Sequence, residues 1–278
     1  MKPRLFFVCF IMASGALFLN TAIAQPPALP TEIHCKHFIH GYPLGAPDSN
    51  DLIIRDLYAL SSNDQTKLAD WVCYRLTCHE TASLLDLERK WRSDPWLDAA
   101  ETLEATPKAT EDYKDAYRDK GYDRGHQAPL ASFKGSRYAS QVNFYSNITP
   151  QKSDLNQGPW MRLESKVRQL VKKYEEVWVM TGPLYERPMP ALPKADEPHK
   201  VPSGYWKIVV VQESGGIHVG AFIMDQNTPR SSDVINHLVK IEEVENRSGL
   251  DFLWELPDSE ENSIEGTTFE AWVREWAG

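Results

Sequence analysis

Alternating and periodic apolar residues predict most of the regular structure in the second half of the chain. Three runs rich in β-branched and aromatic residues predict strands: Val177 to Pro183, Tyr205 to Gln212 and Ile217 to Met224. The sequence Ser214-Gly215-Gly216 separates the last two runs and predicts a hairpin turn. The run from Gln141 to Ile148 also alternates, with Val142 and Phe144 on one face, and this predicts a half-buried strand.

Apolar residues recur at steps of three and four in two segments, which predicts two amphipathic helices. The first helix has Pro159 in its first turn, and its apolar positions are Trp160, Leu163, Val167, Leu170, Val171 and Tyr174. The second is predicted to begin at about Ser232 and to end near Gly249, because glycine commonly terminates helices. Its apolar positions are Val234, Leu238, Ile241 and Val244.

The first half of the chain has weaker signals. Leu52 to Leu60 and Asp70 to Thr77 suit strands, with a short helix over Gln65 to Trp71 as an alternative. The polar, irregular run from Asp94 to Tyr122 predicts a long ordered surface loop. Strands around a hairpin with separate covering helices predict an α+β fold with a mainly antiparallel central sheet flanked by helices.

The amino terminus has the pattern of a secretory signal. Two basic residues precede an apolar run from Leu5 to Leu19, and the small-residue sequence Ala22-Ile23-Ala24 follows. The apolar run is shorter than the ~20 residues that span a bilayer. We therefore expect residues 1–24 to be cleaved and residues 25–278 to form a single exported domain, periplasmic or secreted, with no membrane association after cleavage.

Composition and charge exclude two classes of protein. With 42% hydrophobic and 25% charged residues, the chain cannot be fully disordered. The 30 Lys and Arg against 39 Asp and Glu give a net charge of −9, which argues against a passive nucleic-acid coat. A local basic cleft stays compatible with this acidity. Cys35, Cys73 and Cys78 remain after signal cleavage, so at least one is unpaired within the chain, and their connectivity is left open.

The densest group of chemically useful residues is the run Asp123-Arg124-Gly125-His126, and four polar residues follow it: Asn147, Asn156, Glu164 and Arg168. Phosphodiester hydrolysis needs a group that accepts a proton from water near neutral pH, and histidine is suited to this role. His126 is therefore the candidate base. Mg²⁺ prefers oxygen ligands and keeps several waters, so the amide oxygen of Asn156 with a carboxylate holding the waters is a sufficient protein site.

Spacing also favours one shared site. Asn156, Glu164 and Arg168 stand at multiples of four residues, as does Trp160, and such residues share one side of a helix. Asn147 is predicted to lie on the strand face opposite Val142 and to point towards the same cleft. Each residue taken alone is more commonly a structural residue, and only the ordered set favours catalysis.

The ordered set resembles the DNA/RNA non-specific endonucleases of the ββα-metal superfamily. The resemblance rests on Asp123 to His126, on the two asparagines, and on Glu164 and Arg168. It extends upstream to the run Arg89 to Pro95 and downstream through Gly249 to Phe252, so it covers most of the chain that remains after signal cleavage. Four residues alone would recur by chance, whereas the full set is specific.

The resemblance implies a role for each of these residues. His126 would be the general base, Asn156 the direct ligand of Mg²⁺, with Mn²⁺ as an alternative ion, and Glu164 would hold the metal through water. Asn147 would help to orient the site. The residues implied to grip the phosphate or stabilise its transition state are Arg89, Arg124 and Arg168. The resemblance also implies a ββα-metal motif, DNA and RNA as substrates, and products that end in 5′-phosphate.

Two other functions stay open at this stage. A non-catalytic descendant of the family would bind nucleic acid or a partner and leave plasmid and RNA intact. A phosphodiesterase specific for small nucleotides would cleave a chromogenic diester well and plasmid poorly. The oligomeric state is left open too, with a homodimer among the alternatives.

Overall fold

A seven-stranded antiparallel sheet forms the centre of the molecule. The computed structural model describes residues 30–82, 84–105 and 111–278, so the predicted signal over residues 1–24 lies outside the described residues. The strands are β1 (Asp51–Ile54), β2 (Ala59–Asn63), β3 (Leu68–Thr77), β4 (Tyr122–His126), β5 (Ile148–Lys152), β6 (Glu176–Leu184), β7 (Gly204–Glu213), β8 (Gly216–Asp225) and β9 (Leu238–Val239). The order across the sheet is β1-β2-β3-β6-β7-β8-β9.

Strands β4 and β5 form a separate antiparallel pair in which Tyr122 lies opposite Lys152 and His126 lies opposite Ile148. A Cβ atom on Gly125 would lie 2.8 Å from the Cβ of Gln151, so only glycine fits this position of β4. The pair is followed by the longest helix of the described chain. Two strands and that helix make a ββα unit beside the large sheet.

The helices pack on both faces of the large sheet. They are α1 (Cys78–Thr81), α2 (Ala116–Lys120), α3 (Ser153–Leu155), α4 (Met161–Tyr174), α5 (Ile241–Ser248), α6 (Asp258–Glu265) and α7 (Glu270–Ala277). Buried residues of α4 and α7 pack in one hydrophobic cluster, and those of α5 and α6 pack in another. Strand β7 contributes alternate residues to the two clusters, with Tyr205 and Val209 in the first and Trp206 and Ile208 in the second. The result is an α+β fold with a mainly antiparallel sheet between helices, as the sequence predicts.

Several predicted elements are confirmed with small changes of boundary. The first amphipathic helix is α4, and the three β-rich runs are β6, β7 and β8. The predicted hairpin turn joins β7 to β8. The early strands are also present, because Leu52 to Leu60 spans β1 and the start of β2, and Asp70 to Thr77 lies within β3.

The strand predicted over Gln141 to Ile148 is wrong. The segment forms two 3-10 turns, Ala139–Asn143 and Tyr145–Asn147, and only Ile148 enters a strand. Its apolar and polar residues are nearly all buried, so the apparent alternation did not mark one solvent face. Tight turns within the segment satisfy the backbone, since the Phe144 amide donates to Gln141 and the Asn147 amide donates to Phe144.

The second predicted helix begins later than expected. Val234–His237 is a 3-10 turn, and Leu238–Val239 pairs with Phe222 and Ala221 as strand β9, so helix α5 starts only at Ile241. Pairing with the sheet edge therefore overrides the helical spacing. The end near Gly249 is confirmed, because Gly249 has a φ of +74° and caps α5.

The predicted surface loop from Asp94 to Tyr122 is partly wrong. It contains α2, and Leu103, Asp112 and Tyr113 within it are fully or almost fully buried. Residues 106–110 of this loop lie outside the described residues. In the described ranges, Cys35, Cys73 and Cys78 form no disulfide, and no helix there is long and apolar enough to cross a membrane.

Candidate active site

A cleft of about 430 Å³ lies between the β4–β5 pair, the start of α4 and the segment that contains Arg89 and Trp91. Six of the seven predicted site residues line it: Arg89, Arg124, His126, Asn156, Glu164 and Arg168. Arg124 and His126 are carried by β4, and Glu164 and Arg168 lie one turn apart on α4. The structure therefore brings together residues that are up to 79 positions apart in the chain, Arg89 and Arg168.

His126 ends strand β4 and is held in one tautomer. Its Nε2 lies 2.9 Å from Oδ1 of Asn143, and because an amide oxygen only accepts, Nε2 carries the hydrogen. Nδ1 is then the nitrogen with a free lone pair. Burial lowers the pKa of His126 to about 4, with the hydrogen bond to Asn143 opposing and the charge of Arg89 assisting this shift. The imidazole is therefore neutral at pH 7, as a base must be.

Trp91 forms an aromatic wall beside the imidazole. Its ring centroid lies 5.2 Å from that of His126, and the Arg124 guanidinium carbon lies 5.7 Å from the same indole. A large apolar surface here removes water from one side of the imidazole, which contributes to its lowered pKa. Trp91 thus packs beside both groups at the wall of the cleft.

Asn156 has its side-chain amide oriented by Asp123. Nδ2 of Asn156 donates to Oδ2 of Asp123 across 2.8 Å, which leaves Oδ1 of Asn156 as the atom available in the cleft. Ser153 and Gln157 donate to the same carboxylate, so Asp123 is itself held in place. An amide oxygen with carboxylates nearby is the hard oxygen donor set that Mg²⁺ prefers, so these residues fit the implied metal.

A break in the helix shapes this part of the site. Asn156–Trp160 form a wide turn before α4 in which Gly158 has non-helical dihedral angles, φ −109° and ψ −117°. A Cβ atom on Gly158 would lie 2.8 Å from the backbone of Arg230, so glycine is required for this close approach. Trp160 consequently turns inward and is buried against Tyr205, with 5.7 Å between ring centroids, rather than lining the cleft.

Glu164 lies at the base of the cleft and shares its surroundings with a buried lysine. Burial raises the pKa of Glu164 to about 7. The cations that oppose this rise are Lys207, Arg168 and Arg89. Lys207 is fully buried on the side of β7 that faces α4, and its ammonium has no hydrogen-bond partner in the described chain. The Lys207 nitrogen lies 4.6 Å from the ring centroid of Trp160. Trp160 precedes Glu164 by one helical turn.

The three arginines differ in how they are held. Arg124 donates from Nε to the Tyr145 hydroxyl across 2.9 Å and from Nη2 to the carboxylate of Glu111. Nη1 of Arg168 is buried and has no partner among the described residues, although the side chain lines the cleft. Arg89 is exposed at the rim. A phosphate in the cleft would give the Arg168 guanidinium the acceptor that it lacks.

The predicted position of Asn147 is wrong. It does not line the cleft, and it is fully buried because the predicted strand is replaced by a 3-10 turn. Its amide donates to the carbonyls of Ala128 and Val142 and accepts from the Ala128 amide. These contacts hold the chain directly after His126, so Asn147 supports the site from within the protein.

Sequence reasoning missed Asn143, Lys207 and the orienting contact of Asp123. Asn143 is four residues before Asn147, and nothing in the sequence around it indicates a contact with His126. Lys207 did have a signal in the sequence. It is the one charged residue inside the apolar run Tyr205 to Val211, so its side chain must either be buried with its neighbours or interrupt the pattern of the strand. Trp91 lay inside the resembling run around Arg89 without a role of its own.

Known proteins are similar to this chain over most of its length. The family model described as DNA/RNA non-specific endonuclease matches residues 36–259. A nuclease of Serratia marcescens is 43% identical over 256 residues, which are 91% of this chain and 92% of that protein. Human mitochondrial endonuclease G is 31% identical over 228 residues, 75% of this chain and 71% of that protein. A crystal structure of an EndoG/EndoGI complex matches the fold with a TM-score of 0.63 and 23% identity, covering 80% of this chain and 91% of that chain.

Proposed function

The chain belongs to the DNA/RNA non-specific endonuclease family, and from this premise we propose that it is an exported, Mg²⁺-dependent enzyme that cleaves both polymers to fragments ending in 5′-phosphate. One observation supports the proposal above all. A neutral imidazole with a free Nδ1 and an amide oxygen oriented by Asp123 line the same cleft.

His126 acts as the base for the attacking water. With Nε2 donating to Asn143, Nδ1 accepts a proton from water as its oxygen forms the new bond to phosphorus. The bond from phosphorus to the 3′ oxygen breaks, so one fragment ends in a 3′ hydroxyl and the phosphate stays on the 5′ oxygen of the other fragment. The contact with Asn143 prevents the imidazole from presenting the wrong nitrogen.

Asn156 binds the metal directly through Oδ1, and Glu164 holds it through water. Mg²⁺, when bound, supplies positive charge that stabilises the phosphate and the departing 3′ oxygen. Asp123 keeps the amide of Asn156 in the orientation that this requires. The cations around Glu164 favour its ionised form, which is the form that orders water around a cation.

Arg89, Arg124 and Arg168 bind the phosphate. Guanidinium groups present forked donors that match phosphate oxygens, and all three line the cleft. Contacts to phosphate carry no base information, and neither a deoxyribose nor a ribose is required for them. The same arrangement therefore explains why one site would cleave DNA and RNA with little sequence preference.

Residues 1–24 are removed during export, and the domain of residues 25–278 acts in the periplasm or outside the cell. Measurement of the amino-terminal sequence of the protein recovered from the periplasm or medium tests this part. A mature chain that begins at Gln25 supports it, and a protein that keeps Met1 contradicts it. A homodimer is compatible with this scheme and is tested by sedimentation.

The nuclease activity is tested with supercoiled plasmid and with RNA, in Mg²⁺ and in EDTA. We expect both polymers to be degraded only in Mg²⁺, and the fragments to be labelled by a polynucleotide kinase only after treatment with phosphatase. His126→Ala is the matched control and should leave both polymers intact while unfolding at the same temperature. Intact plasmid with the unaltered protein in Mg²⁺ would contradict the proposal.

A further inference from the structure

A second group of oxygen atoms converges away from the cleft. Asp112, Asp196 and Glu197 each offer one carboxylate oxygen within 4.8 Å of the other two. Asp112 precedes α2, whereas the other two belong to the loop over residues 192–199. Asp112 is fully buried, Glu197 is half-buried and Asp196 is exposed, so the group has a closed inner side and an open outer side.

The buried carboxylate is not satisfied by the protein. Oδ2 of Asp112 accepts the backbone amide of Glu104, but Oδ1 has no hydrogen-bond partner among the described residues. Oε1 of Glu197 is buried and likewise has no partner there. A buried anionic oxygen without a donor is costly, so Asp112 and Glu197 require either a proton or a cation.

Two other acidic groups of the described chain have the same spacing but differ in burial. They are Asp51 with Asp64 and Glu101, and Glu245 with Asp251 and Glu265. Neither contains a fully buried residue, although Oδ1 of Asp64 and Oε1 of Glu265 are buried without a hydrogen-bond partner among the described residues. Spacing and a single unsatisfied oxygen therefore do not single out a site. The group of Asp112 differs because that residue is fully buried and because a second unsatisfied oxygen, that of Glu197, lies beside it.

The electrostatics of the group are those of anions that lack a countercharge. Burial and the neighbouring Asp196 and Asp112 raise the pKa of Glu197 to about 8. Burial also raises the pKa of Asp112, and the charges of Asp196 and Glu104 act in the same direction. Without a cation, the group must hold a proton at neutral pH. A divalent cation would displace that proton and use the free oxygens.

We propose that Asp112, Asp196 and Glu197 bind a calcium ion. Calcium accepts six to eight oxygen ligands in irregular arrangements and binds carboxylates through one or both oxygens, whereas Mg²⁺ demands near-octahedral geometry. Ligands from two loops, with an open side for water, suit the larger ion. The site is separate from Asn156 and Glu164.

The ion ties the Asp112 segment to the loop of residues 192–199. Tyr113 follows Asp112 directly and packs on Tyr145 with 5.2 Å between ring centroids. The Tyr145 hydroxyl accepts from Arg124, and Glu111 pairs with the same guanidinium. Calcium therefore stabilises the wall that carries these contacts to the cleft, which is a structural role distinct from the chemistry.

Thermal unfolding of the mature protein in calcium and in EGTA tests the proposal. Asn156→Ala serves as the background, so that binding at the catalytic cleft does not contribute. In this background we expect 5 mM Ca²⁺ to raise the unfolding temperature by about 5 °C, and calorimetry to give one Ca²⁺ per chain. Asp196→Asn should abolish both effects, and its exposed position makes loss of folding a minor risk. Glu265→Gln, in a group without a fully buried residue, should keep both.

Three outcomes would overturn the proposal. An undiminished calcium response in Asp196→Asn would place the ion elsewhere. No response in the unaltered protein or in the Asn156→Ala background would mean that the three carboxylates share a proton instead. An equal or larger response to Mg²⁺ at the same concentration would exclude calcium as the preferred ion. These readouts measure folding and calcium binding, so they do not depend on nuclease activity. The calcium proposal and the proposed function can therefore fail separately.

Discussion

Asp123 accepts a hydrogen bond from the side-chain amide of Asn156, with 2.8 Å between Oδ2 and Nδ2. A carboxylate accepts only, so the contact distinguishes the two ends of the amide and presents its oxygen to the cleft. Asp123 directly precedes Arg124 and is three residues before His126 on one short strand. The strand that carries the base thus also orients the metal ligand.

Asp123→Asn should weaken metal binding more than it weakens folding. An amide at position 123 can donate as well as accept, so Asn156 loses its unique orientation. We expect the Mg²⁺ concentration for half-maximal activity to rise by about 10- to 100-fold, with maximal activity partly recovered at high Mg²⁺. A Mg²⁺ titration checks this, with thermal unfolding as the control. An unchanged titration would remove Asp123 from the orienting role.

Asn143→Asp should shift the acid limb of the pH profile of kcat/KM to higher pH. His126 is active when neutral, so activity falls as the pH drops through its pKa, which burial places at about 4. An aspartate at position 143 favours the charged imidazolium and should raise this pKa by about 1 to 3 units. At saturating Mg²⁺, the variant should therefore lose activity at a higher pH than the unaltered enzyme. Asn143→Ala, which adds no charge, is the matched control and should lower activity without an upward shift.

Lys207→Met should make the response to Mg²⁺ depend more strongly on pH. The pKa of Glu164 is about 7, and Lys207 is the strongest of the cations that oppose its rise. Removing this ammonium raises the pKa of Glu164 further, so more of it is protonated at pH 7 and less Mg²⁺ binds. Below the pKa of Glu164, the Mg²⁺ concentration for half-maximal activity should rise ~10-fold for each unit by which the pH falls, because one proton competes with the ion.

The difference between Lys207→Met and the unaltered enzyme should disappear by about pH 9, where Glu164 is ionised in both. Kinetic Mg²⁺ titrations at pH 7 and pH 9 measure it. Lys207→Arg, which keeps the charge, is the control and should stay close to the unaltered enzyme at pH 7. An equal loss at both pH values would show that Lys207 acts through packing alone.

Glu111→Gln should strengthen substrate binding. The Glu111 carboxylate pairs with Arg124, and a substrate phosphate must compete for that guanidinium. Ion pairs that stay partly accessible to solvent are weak, so releasing Arg124 should lower KM by up to about 5-fold and leave kcat nearly unchanged. Steady-state kinetics on a short oligonucleotide at low salt measures both constants. A raised KM would show that Glu111 positions Arg124 for the phosphate rather than competing for it.

Helix α4 was readable from the sequence because it buries one face against the sheet, which leaves a clear helical period. Strands β6 to β8 are buried on both faces, and their continuous runs of β-branched and aromatic residues identified them. The segment from Gln141 to Asn147 has almost no solvent face, so periodicity could not distinguish turns from a strand. The ordered set from Asp123 to Arg168 identified the cleft through its motif. The Asn143 contact with His126 and the burial of Lys207 depend on how separate elements pack, and local patterns do not encode this.

The central claim is that His126 acts on the attacking water, whereas Asn156, through the metal, stabilises the departing oxygen. A diester with a 4-nitrophenolate leaving group tests it, because such an oxygen departs with little help. We predict that Asn156→Ala is strongly impaired on a deoxynucleotide diester but nearly as active as the unaltered enzyme on the 4-nitrophenyl diester. His126→Ala should stay about 10²- to 10⁴-fold less active than the unaltered enzyme on both diesters. Recovery of His126→Ala on the activated diester would contradict the claim, since it would place the imidazole on the leaving oxygen.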